Sequence, residues 1–425
     1  MQVTTGLSAI KEGLPIKSRP PQGWRHVKLT EVARLESGHT PSKRQPEYWG
    51  GTIPWVSLHD TEGLDAWEIQ TTSQSITEAG LANSSARLLP KGTVVFSRTA
   101  TVGKATVMGR SMATSQDFAC YVCGPEVHNF YLALLLRSMR AEWKKLMAGS
   151  IHNTVYMPVF KSLAVDLPPH DEQVAIANAM RDVERTIDSL EQLLTKKRQI
   201  KQGAMQELLT GKRRLPGFSG KWTSMRLGDI GRTYGGLTGK SKADFGHGEG
   251  KYITFMNVMT NTRTSLQAVE SVHVEPTESQ NNVQPGDLLF NGSSETPEEV
   301  AFCSWVEACA ANTFLNSFCF GFRPFVPDQI SGLFMAYYFR ARPGRIAVSS
   351  LAQGATRYNI AKTALLQAPL SLPAFEEQQA IASIMSAMDE ELSALESRLT
   401  KARALKQAMG QALLTGHIRL VEPTA

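Results

Sequence analysis

The chain has 425 residues, which corresponds to two or three domains of ordinary size. Hydrophobic residues make up 42% and charged residues 20%, a balance that excludes a disordered or fibrous protein. The formal net charge of +6 suits a polyanionic partner but also fits many unrelated proteins. The amino terminus has no signal-peptide core, and the longest purely apolar stretches, Phe130 to Leu136 and Leu333 to Phe339, are too short for a membrane span. We therefore expect a cytoplasmic protein without membrane association.

The five cysteines are odd in number and stand in no secretory context, so we expect free thiols. Cys120 and Cys123 have the spacing of half a zinc site, but the sequence around them has the pattern of a β-strand. Residues i and i+3 of a strand point to opposite faces and cannot share a metal ion. We predict structural cysteines and no metal site.

An internal repeat organises the chain. The segment from Leu167 to Leu215 aligns without a gap with the segment from Leu372 to Leu420, at an offset of 205 residues, and about half of the aligned positions are identical. The rest of the chain repeats more faintly. The matched positions there include Gly23 with Lys221, Lys91 with Pro285, and Gly149 with Gly354.

Both copies of the strong repeat have the start and stop signals of a long helix. Each opens with proline and places acidic residues in the first turn, where they complement the positive end of the helix dipole. Each closes with Leu-Leu-Thr-Gly, which puts Gly211 and Gly416 at the position of a left-handed C-terminal cap. The two helices are predicted over residues 167–211 and 372–416.

Between these ends the apolar residues alternate at spacings of four and three, which is the pattern of a coiled-coil seam. The predicted seam consists of Ile176, Met180, Val183, Ile187, Leu190, Leu194, Ile381, Met385, Met388, Leu392, Leu395 and Leu399. Beyond these residues the seam is predicted to shift to Ile200, Ala204 and Leu208 in one copy and to Leu405, Met409 and Leu413 in the other. A helix of about 60 Å with an apolar stripe needs a partner, and the other copy is the nearest equivalent. We expect an antiparallel coiled coil with pseudo-twofold symmetry.

The predicted fold class is therefore two α/β (α+β) globules joined by two long helices that form this coiled coil. Short β-type runs, such as those around Val94 and Phe118, and a helical stretch near the end of each globule, from Phe130 in the first and from Gly332 in the second, support this assignment. The predicted segments are 1–22 (N-terminal segment), 23–166 (first globule), 167–211 (central helix), 212–221 (connector), 222–371 (second globule), 372–416 (C-terminal helix) and 417–425 (tail).

The sequence lacks the usual motifs of a catalytic site. The loop from Gly236 to Ser241 resembles a phosphate-binding loop, but Tyr234 stands where the first glycine of that motif is required. The sequence has no His-Glu-x-x-His pair, no dinucleotide glycine fingerprint, no methyltransferase motif and no nucleophile elbow. We expect neither catalysis nor a bound cofactor in this chain alone. Two similar globules facing opposite ways would match the twofold symmetry of duplex DNA.

Three stretches of the sequence carry a family resemblance: residues 208–218, residues 168–177 with their echo at 373–382, and residues 293–300. The chain resembles the specificity subunit of Type I restriction-modification systems. The resemblance implies two target recognition domains, each reading one half of an asymmetric bipartite site in double-stranded DNA. It also implies that the coiled coil sets the gap between half-sites and docks two DNA adenine methyltransferase subunits. S-adenosylmethionine, ATP and Mg are then expected on the methyltransferase and motor-nuclease subunits and not on this chain.

Base and phosphate contacts need hydrogen-bonding side chains on loops at equivalent places in both globules. In the first globule the candidates are Ser42, Lys43, Arg44, Ser97, Arg98, Thr99, Lys104, Ser115, Gln116, His152 and Asn153. In the second they are Thr238, Lys240, Lys242, Asn291, Ser293, Ser294, Glu295, Arg357, Tyr358 and Asn359.

Three alternatives remain open at this point. The chain could be a coiled-coil scaffold that binds only proteins, an enzyme with an unrecognised site in a globule, or the specificity chain of a system with fused methyltransferase and nuclease. The basic run Lys196-Lys197-Arg198 with Lys201 could grip phosphates between half-sites, although a solvated helix face is the favoured interpretation.

Overall fold

The computed structural model describes residues 20–147, 153–354 and 357–421. By its contacts the chain divides into two compact units. Unit 1 comprises Met1–Ser189 with Leu399–Ala425, and unit 2 comprises Leu190–Arg398. Each unit therefore contains one part of each long helix, and we describe the two units separately.

The described residues of unit 1 form ten short strands, five short α-helices and parts of the two long helices. The strands are β1 (Arg25–Lys28), β2 (Ala33–Ser37), β3 (Trp49–Val56), β4 (Glu68–Ile69), β5 (Gln74–Ile76), β6 (Val94–Ser97), β7 (Ala105–Met108), β8 (Ala113–Thr114), β9 (Phe118–Cys123) and β10 (Ala164–Leu167). The helices are α1 (Leu29–Val32), α2 (Glu78–Ala82), α3 (Asn129–Ser138), α4 (Arg140–Met147), α5 (Met157–Ser162) and the long α6 (His170–Leu208).

The strands of unit 1 form three sheets. A five-stranded mixed sheet has the order β2-β9-β6-β7-β4, a three-stranded sheet has the order β5-β3-β8, and β1 pairs with β10. All four residues of β6 are buried, as the first four of β9 are, because both strands lie inside the larger sheet. The predicted strands around Val94 and Phe118 are thus confirmed, and the predicted helical stretch from Phe130 consists of α3 and α4.

Unit 2 repeats the same plan. Its strands are β11 (Thr223–Arg226), β12 (Gly231–Gly235), β13 (Phe245–Ile253), β14 (Val269–Val272), β15 (Leu288–Asn291), β16 (Ser293–Ser294), β17 (Cys303–Trp305), β18 (Thr313–Leu315), β19 (Cys319–Pro324), β20 (Tyr358–Asn359) and β21 (Pro369–Leu372). Its helices are α7 (Leu227–Ile230), α8 (Phe255–Thr260), α9 (Gly332–Arg340), α10 (Arg342–Ser349), α11 (Lys362–Leu365) and the long α12 (Phe375–Leu414).

The sheets of unit 2 correspond to those of unit 1. The four-stranded sheet β12-β19-β15-β17 matches β2-β9-β6-β7, the sheet β14-β13-β18 matches β5-β3-β8, and the pair β11-β21 matches β1-β10. Unit 1 adds the edge strand β4, whereas unit 2 adds the separate pair β16-β20. The faint repeat in the sequence is therefore a real duplication of the fold, and the predicted mixed α/β class is confirmed.

Each unit has its own core of aromatic side chains, on which both long helices pack. In unit 1, Phe96, Trp143 and Phe160 contact one another, with ring centroids between 4.9 and 5.6 Å apart. The same core contains Ile176 from α6 and Leu413 from α12. The unit 2 core is arranged in the same way around Phe290, Phe322, Phe334 and Phe339, with Leu208 from α6 and Ile381 from α12.

Within each unit the two long helices run antiparallel. In unit 1, Glu172 pairs with Arg419 beyond the end of α12, and Glu184 pairs with Lys406, so residue numbers fall along α12 as they rise along α6. In unit 2, Lys201 pairs with Asp389, and Arg214 beyond the end of α6 pairs with Glu377. The predicted antiparallel pairing is confirmed in each unit.

The structure confirms most of the predicted seam. Eight of its residues are buried, and the half-buried Val183, Met388, Leu392 and Leu399 complete the stripe. The predicted continuation is wrong at two positions, since 47% of Ile200 and 53% of Leu405 is exposed. Lys201 lies on the side of α6 that faces α12, where it pairs with Asp389. Successive residues of a helix are about 100° apart around its axis, so Ile200 is rotated away from that side.

The helix boundaries follow from local chemistry. Leu167 pairs with Arg25 in β1 and β10, and two prolines follow it, so α6 begins three residues later, at His170. Gly211 and Gly416 have φ values of 71° and 66°, which confirms the left-handed caps. No helix in the described part of the chain has the length and apolarity needed to cross a lipid bilayer.

The five cysteines are free thiols, and Cys120 and Cys123 lie on β9 as predicted. Burial raises the pKa of both thiols to about 12. They are therefore protonated at neutral pH and act as small apolar side chains.

Candidate nucleic-acid interface

In unit 1 three loops meet at one edge of the five-stranded sheet. The residue after β6, Arg98, donates its backbone N–H to the carbonyl of Asp117, at 3.0 Å. Its own carbonyl accepts from the N–H of Val155, at 2.8 Å, and Thr99 forms a β-bridge with Thr154. The loops after β6, before β9 and before α5 therefore form one continuous edge.

Unit 2 makes the same edge with the same hydrogen bonds. Gly292 donates its N–H to the carbonyl of Phe318, at 2.8 Å, and its carbonyl accepts from the N–H of Ile360, at 3.1 Å. Ser293 pairs with Asn359 as Thr99 does with Thr154. Val155 and Ile360 are 205 residues apart, which is the offset of the helical repeat. We call these two loop clusters the unit 1 edge and the unit 2 edge.

A fourth loop joins each edge through a glycine that has no room for a side chain. A Cβ atom on Gly38 would lie 2.0 Å from the carbonyl oxygen of Thr114, and one on Gly236 would lie 2.2 Å from that of Asn316. Only glycine lets the backbone approach so closely. These contacts bring the loops after β2 and β12, with their predicted site residues, to the same edges.

The predicted residues of unit 1 separate into exposed and enclosed groups. The exposed ones are Ser42, Lys43, Arg44, Gln116 and Asn153. Ser97 and Ser115 are buried, and their hydroxyl groups donate to the Thr99 carbonyl and to the Asp117 carboxylate. Lys104 pairs with Asp65 at 2.8 Å. His152 and the repeat position Gly149 lie outside the described residues.

Arg98 is half-buried and holds two loops together. Its guanidinium donates from Nε and a terminal nitrogen to the Gln116 carbonyl, at 3.0 and 2.6 Å, and from the other to the Val155 carbonyl, at 3.4 Å. Burial lowers the pKa of Arg98. Its position at the edge agrees with the prediction, but most of its donors are used inside the protein.

In unit 2 the exposed predicted residues are Thr238, Lys242, Glu295, Arg357 and Asn359, and Tyr358 is half-buried. Asn291, Ser293 and Ser294 are buried at the start of the loop. The ammonium of Lys240 pairs with Glu278, and this contact lowers the pKa of the carboxyl group to about 2. Lys240 is thus part of the protein's own ion-pair network.

Two cavities of unit 2 are lined by many of its predicted site residues. One, of about 350 Å³, is lined by Ser293, Ser294, Glu295, Glu299, Arg357, Phe255, Met259 and Phe318. The other, of about 590 Å³, contains Thr238, Ser293, Asn359 and Phe318 in its wall. Each cavity therefore brings together residues from four separate parts of the sequence.

The basic run on α6 is largely neutralised. Lys197 pairs with Glu391 at 2.6 Å, Arg198 pairs with Glu396 at 2.7 Å, and Lys201 pairs with Asp389. These contacts favour the interpretation of a solvated helix face over a phosphate grip. No cluster of three or more potential metal ligands occurs in the described ranges 20–147, 153–354 and 357–421.

Comparison with known families places this arrangement. The sequence model of the Type I restriction modification DNA specificity domain matches the chain twice, at residues 21–202 and 219–402. The chain belongs to this family. The two matches cover both units and most of both long helices, so the duplicated body observed here is that of a Type I specificity protein.

Curated relatives carry the same family name. The chain is 28% identical over 162 residues to the Type I restriction enzyme MjaIX specificity subunit of Methanocaldococcus jannaschii. It is 26% identical over 131 residues to the HindI specificity subunit of Haemophilus influenzae, and 25% identical over 174 residues to the EcoprrI specificity subunit of Escherichia coli. These matches cover 38%, 30% and 39% of this chain and 38%, 28% and 42% of the respective relatives, less than half of each.

Solved structures of specificity subunits share the fold. The HsdS subunit from Thermoanaerobacter tengcongensis matches with a TM-score of 0.56 and 19% identity, over 96% of this chain and 100% of that one. The Type I S subunit from M. genitalium matches with a TM-score of 0.53 and 13% identity, over 94% and 98% of the two chains. The likeness extends over the globules as well as the helices.

Sequence reasoning missed several residues at the edges of this Type I specificity protein. Phe318 is 60% exposed at the unit 2 edge, and Tyr156 is 54% exposed at the unit 1 edge. The alternation of Phe318, Phe320 and Phe322 predicts three side chains on one buried face, but β19 begins only at Cys319. Glu299 and Phe255 were also missed, because only the fold brings them to the cavity.

Proposed function

We propose that this chain is the non-catalytic specificity subunit of a Type I restriction-modification complex and that each unit reads one half of a bipartite DNA site. Membership of the specificity family supports the class of function. One observation supports the proposal that the two units read different half-sites: the two edges have the same backbone hydrogen bonds but different side chains. Arg98 and Asp117 in unit 1 correspond to Gly292 and Phe318 in unit 2.

Two edges with one backbone and two sets of side chains suit two unlike half-sites. The shared backbone presents each edge to a groove in the same way, and the side chains then select the bases. Exposed Lys43 and Arg44 in unit 1, and Lys242 in unit 2, supply charge for nearby phosphates.

The test is DNA binding by the purified chain with its methyltransferase partner at matched salt. We expect a duplex that carries the site to be bound about 10³-fold or more tightly than a scrambled duplex of equal length. Equal binding of the two duplexes would contradict sequence-specific recognition and would favour a protein scaffold or a nonspecific DNA-binding protein.

We further propose that two adenine methyltransferase subunits dock on the paired helices and carry S-adenosylmethionine, and that motor-nuclease subunits bring ATP and Mg. The exposed apolar residues Ile200 and Leu405 support a docking role, because they occupy equivalent positions of the two repeat copies. Ile200→Asp and Leu405→Asp should each weaken copurification of the methyltransferase. The control is Arg185→Asp, at an exposed polar position of α6.

The helices are also proposed to set the gap between half-sites. Inserting one helical turn of about four residues, or about 6 Å, into both helices should lengthen the unread gap by one or two base pairs of about 3.4 Å each. An unchanged gap in the methylated sites would contradict this role.

A further inference from the structure

The 350 Å³ cavity of unit 2 is lined by both apolar and polar side chains. Phe255, Met259 and Phe318 supply the apolar atoms. Hydrogen-bonding groups come from the two serines Ser293 and Ser294, the carboxylates of Glu295 and Glu299, and the guanidinium of Arg357. An apolar concave site with a few converging polar groups is the usual form of a site for a planar organic ligand.

The turn before β19 fixes the backbone of Phe318, which lines this cavity. The backbone N–H of Phe318 donates to Oδ1 of Asn316, at 2.9 Å, and its carbonyl accepts from Gly292, at 2.8 Å. The next residue, Cys319, donates to the carbonyl of Asn316, at 3.0 Å. The ring is thus 60% exposed on a backbone fixed from both sides. An aromatic side chain held in this way can bury apolar surface against the edge of a base in the groove.

The loop that carries the carboxylates is equally well supported. The side-chain amide of the buried Asn291 donates to the carbonyls of Ser293 and Glu299, at 3.0 and 2.9 Å. The guanidinium of Arg345 donates to the carbonyls of Val300 and Pro297, the latter at 3.3 Å. Burial lowers the pKa of Arg345 to about 10, which keeps it charged at neutral pH. The loop geometry therefore does not depend on a ligand.

Glu299 is further fixed by Ser294, whose hydroxyl donates to its Oε2 at 3.1 Å. One carboxylate oxygen of Glu299 therefore has a partner within the protein, while the side chain still lines the cavity. Glu295 is exposed at the same cavity. The two side chains present acceptor oxygens and no donors when they are ionised.

The charge of the cavity decides which part of DNA suits it. Two carboxylates against one guanidinium make the lining net negative, so a phosphate group would be repelled. In the major groove, Glu accepts from the exocyclic amino group of a base, which cytosine presents at N4 and adenine at N6. Guanine O6 and thymine O4 are acceptors and would face the carboxylates without a proton between them.

We propose that this cavity is a base-reading pocket, in which Glu295 and Glu299 accept from the exocyclic amino group of one cytosine or adenine and Phe318 packs against the neighbouring base. The proposal rests on the proposed function and adds the chemistry of the base that unit 2 selects. In unit 1 the position of Phe318 is occupied by Asp117 and that of Ser293 by Thr99. The pocket is therefore expected to act on one half-site only.

The experiment uses the complete methyltransferase complex and a duplex that carries its methylated site. At each read position of both half-sites, the base with the amino group is replaced by an analogue that lacks this group: purine for adenine and 2-pyrimidinone for cytosine. The wild-type complex should lose about tenfold in affinity at one position of a single half-site. In Glu295→Ala/Glu299→Ala that position should become insensitive to the analogue, while the other half-site behaves as in the wild type.

The matched control is Glu298→Ala, because Glu298 is an exposed glutamate of the same loop that does not line the cavity. Thermal unfolding of each variant checks that the loop change leaves the fold intact. If the double variant remains as sensitive to the analogue as Glu298→Ala at every position, the base-reading pocket is refuted and the proposed function stands. If the wild-type complex shows no site-specific binding at all, both proposals fall.

Discussion

The carboxylate of Glu172 accepts two hydrogen bonds from the guanidinium of Arg419, at 2.5 and 2.7 Å, although the two residues are 247 positions apart. The carboxylate is fully buried and also accepts from the indole N–H of Trp24, at 3.2 Å. Unit 2 contains the reciprocal pair: Glu377, also buried, accepts from Arg214. In the repeat Arg419 corresponds to Arg214 and Glu172 to Glu377, so each ion pair joins one copy to the other.

This exchange predicts an asymmetric effect on stability. Arg419→Ala leaves the buried carboxylate of Glu172 without a partner, and we expect it to lower the free energy of unfolding by about 3 to 5 kcal/mol. Glu172→Ala leaves the partly exposed Arg419, which water can reach, and should cost less. Denaturant unfolding measures both. Asp182→Ala is the control, because its pair with Arg185 is exposed and contributes less than about 1 kcal/mol.

Equal losses for Arg419→Ala and Asp182→Ala would show that the buried pair does not hold the end of α12 to unit 1. The same comparison can be made in unit 2 with Arg214→Ala. The carboxylate of Glu377 is only 1% exposed, so a loss of similar size is expected there.

Phe318→Ala should weaken specific DNA binding by about 1 to 3 kcal/mol, because the alanine variant loses apolar surface that is buried against the base edges in the groove. Nonspecific binding should change much less. Phe325→Ala is a close control, since Phe325 is also 60% exposed and lies at the opposite end of β19. Competition binding with matched and scrambled duplexes gives both affinities. Equal effects of the two substitutions would remove Phe318 from the interface.

Arg357→Ala and Arg98→Ala separate base contact from loop support. Arg357 is exposed, so its loss should weaken specific binding by about 1 to 3 kcal/mol without lowering the melting temperature. Arg98→Ala should weaken specific binding and also lower the melting temperature, because its guanidinium also holds the carbonyls of Gln116 and Val155. Unchanged binding and unchanged sequence preference would remove either residue from the set of DNA contacts.

Stability should depend on pH through His128. Burial lowers the pKa of His128, and the nearby His170 and Arg181 lower it further. The folded state thus disfavours the protonated ring. The free energy of unfolding is therefore undiminished above the unfolded pKa of about 6.5, where the ring is neutral in both states, and it declines as the pH falls below that value. Melting curves from pH 7.5 to 5 should show a smaller loss for His128→Gln than for the wild type. His59→Gln, an exposed histidine of the same unit, is the control.

An identical decline in the wild type and in His128→Gln would assign the pH dependence to other groups. The ring centroids of His128 and His170 lie 6.0 Å apart, so a His170→Gln variant measures the contribution of its neighbour. That variant should show a smaller decline than the wild type, because the contribution of His170 to the lowered pKa of His128 is removed.

The sequence predicts the long-range plan well because repetition is visible without knowledge of the fold. The helices, their glycine caps and most of the seam follow from spacing alone. The roles of Glu172 and Glu377 do not: as acids in a first turn they indicate a helix start, whereas the fold gives each a buried arginine from the other copy. Local patterns cannot identify such partners.

The edges are harder to predict for the same reason. Ser97 is a polar loop residue of the kind that contacts DNA, yet the fold turns its hydroxyl inward, where it forms hydrogen bonds with the Thr99 carbonyl and the Thr101 hydroxyl. Phe318 has the pattern of a core residue and is exposed. Burial at a loop depends on which other loops meet it, and these come from distant parts of the chain.

The most direct test of the account is a genome-wide map of methylated adenines in cells with and without this gene. Two unlike reading edges on one duplicated body predict a methylated motif of two different half-sites, separated by a constant number of unread base pairs, that disappears when the gene is deleted. A methylation pattern that is unaffected by the deletion, or a dependent motif that is continuous and has no gap, would contradict it.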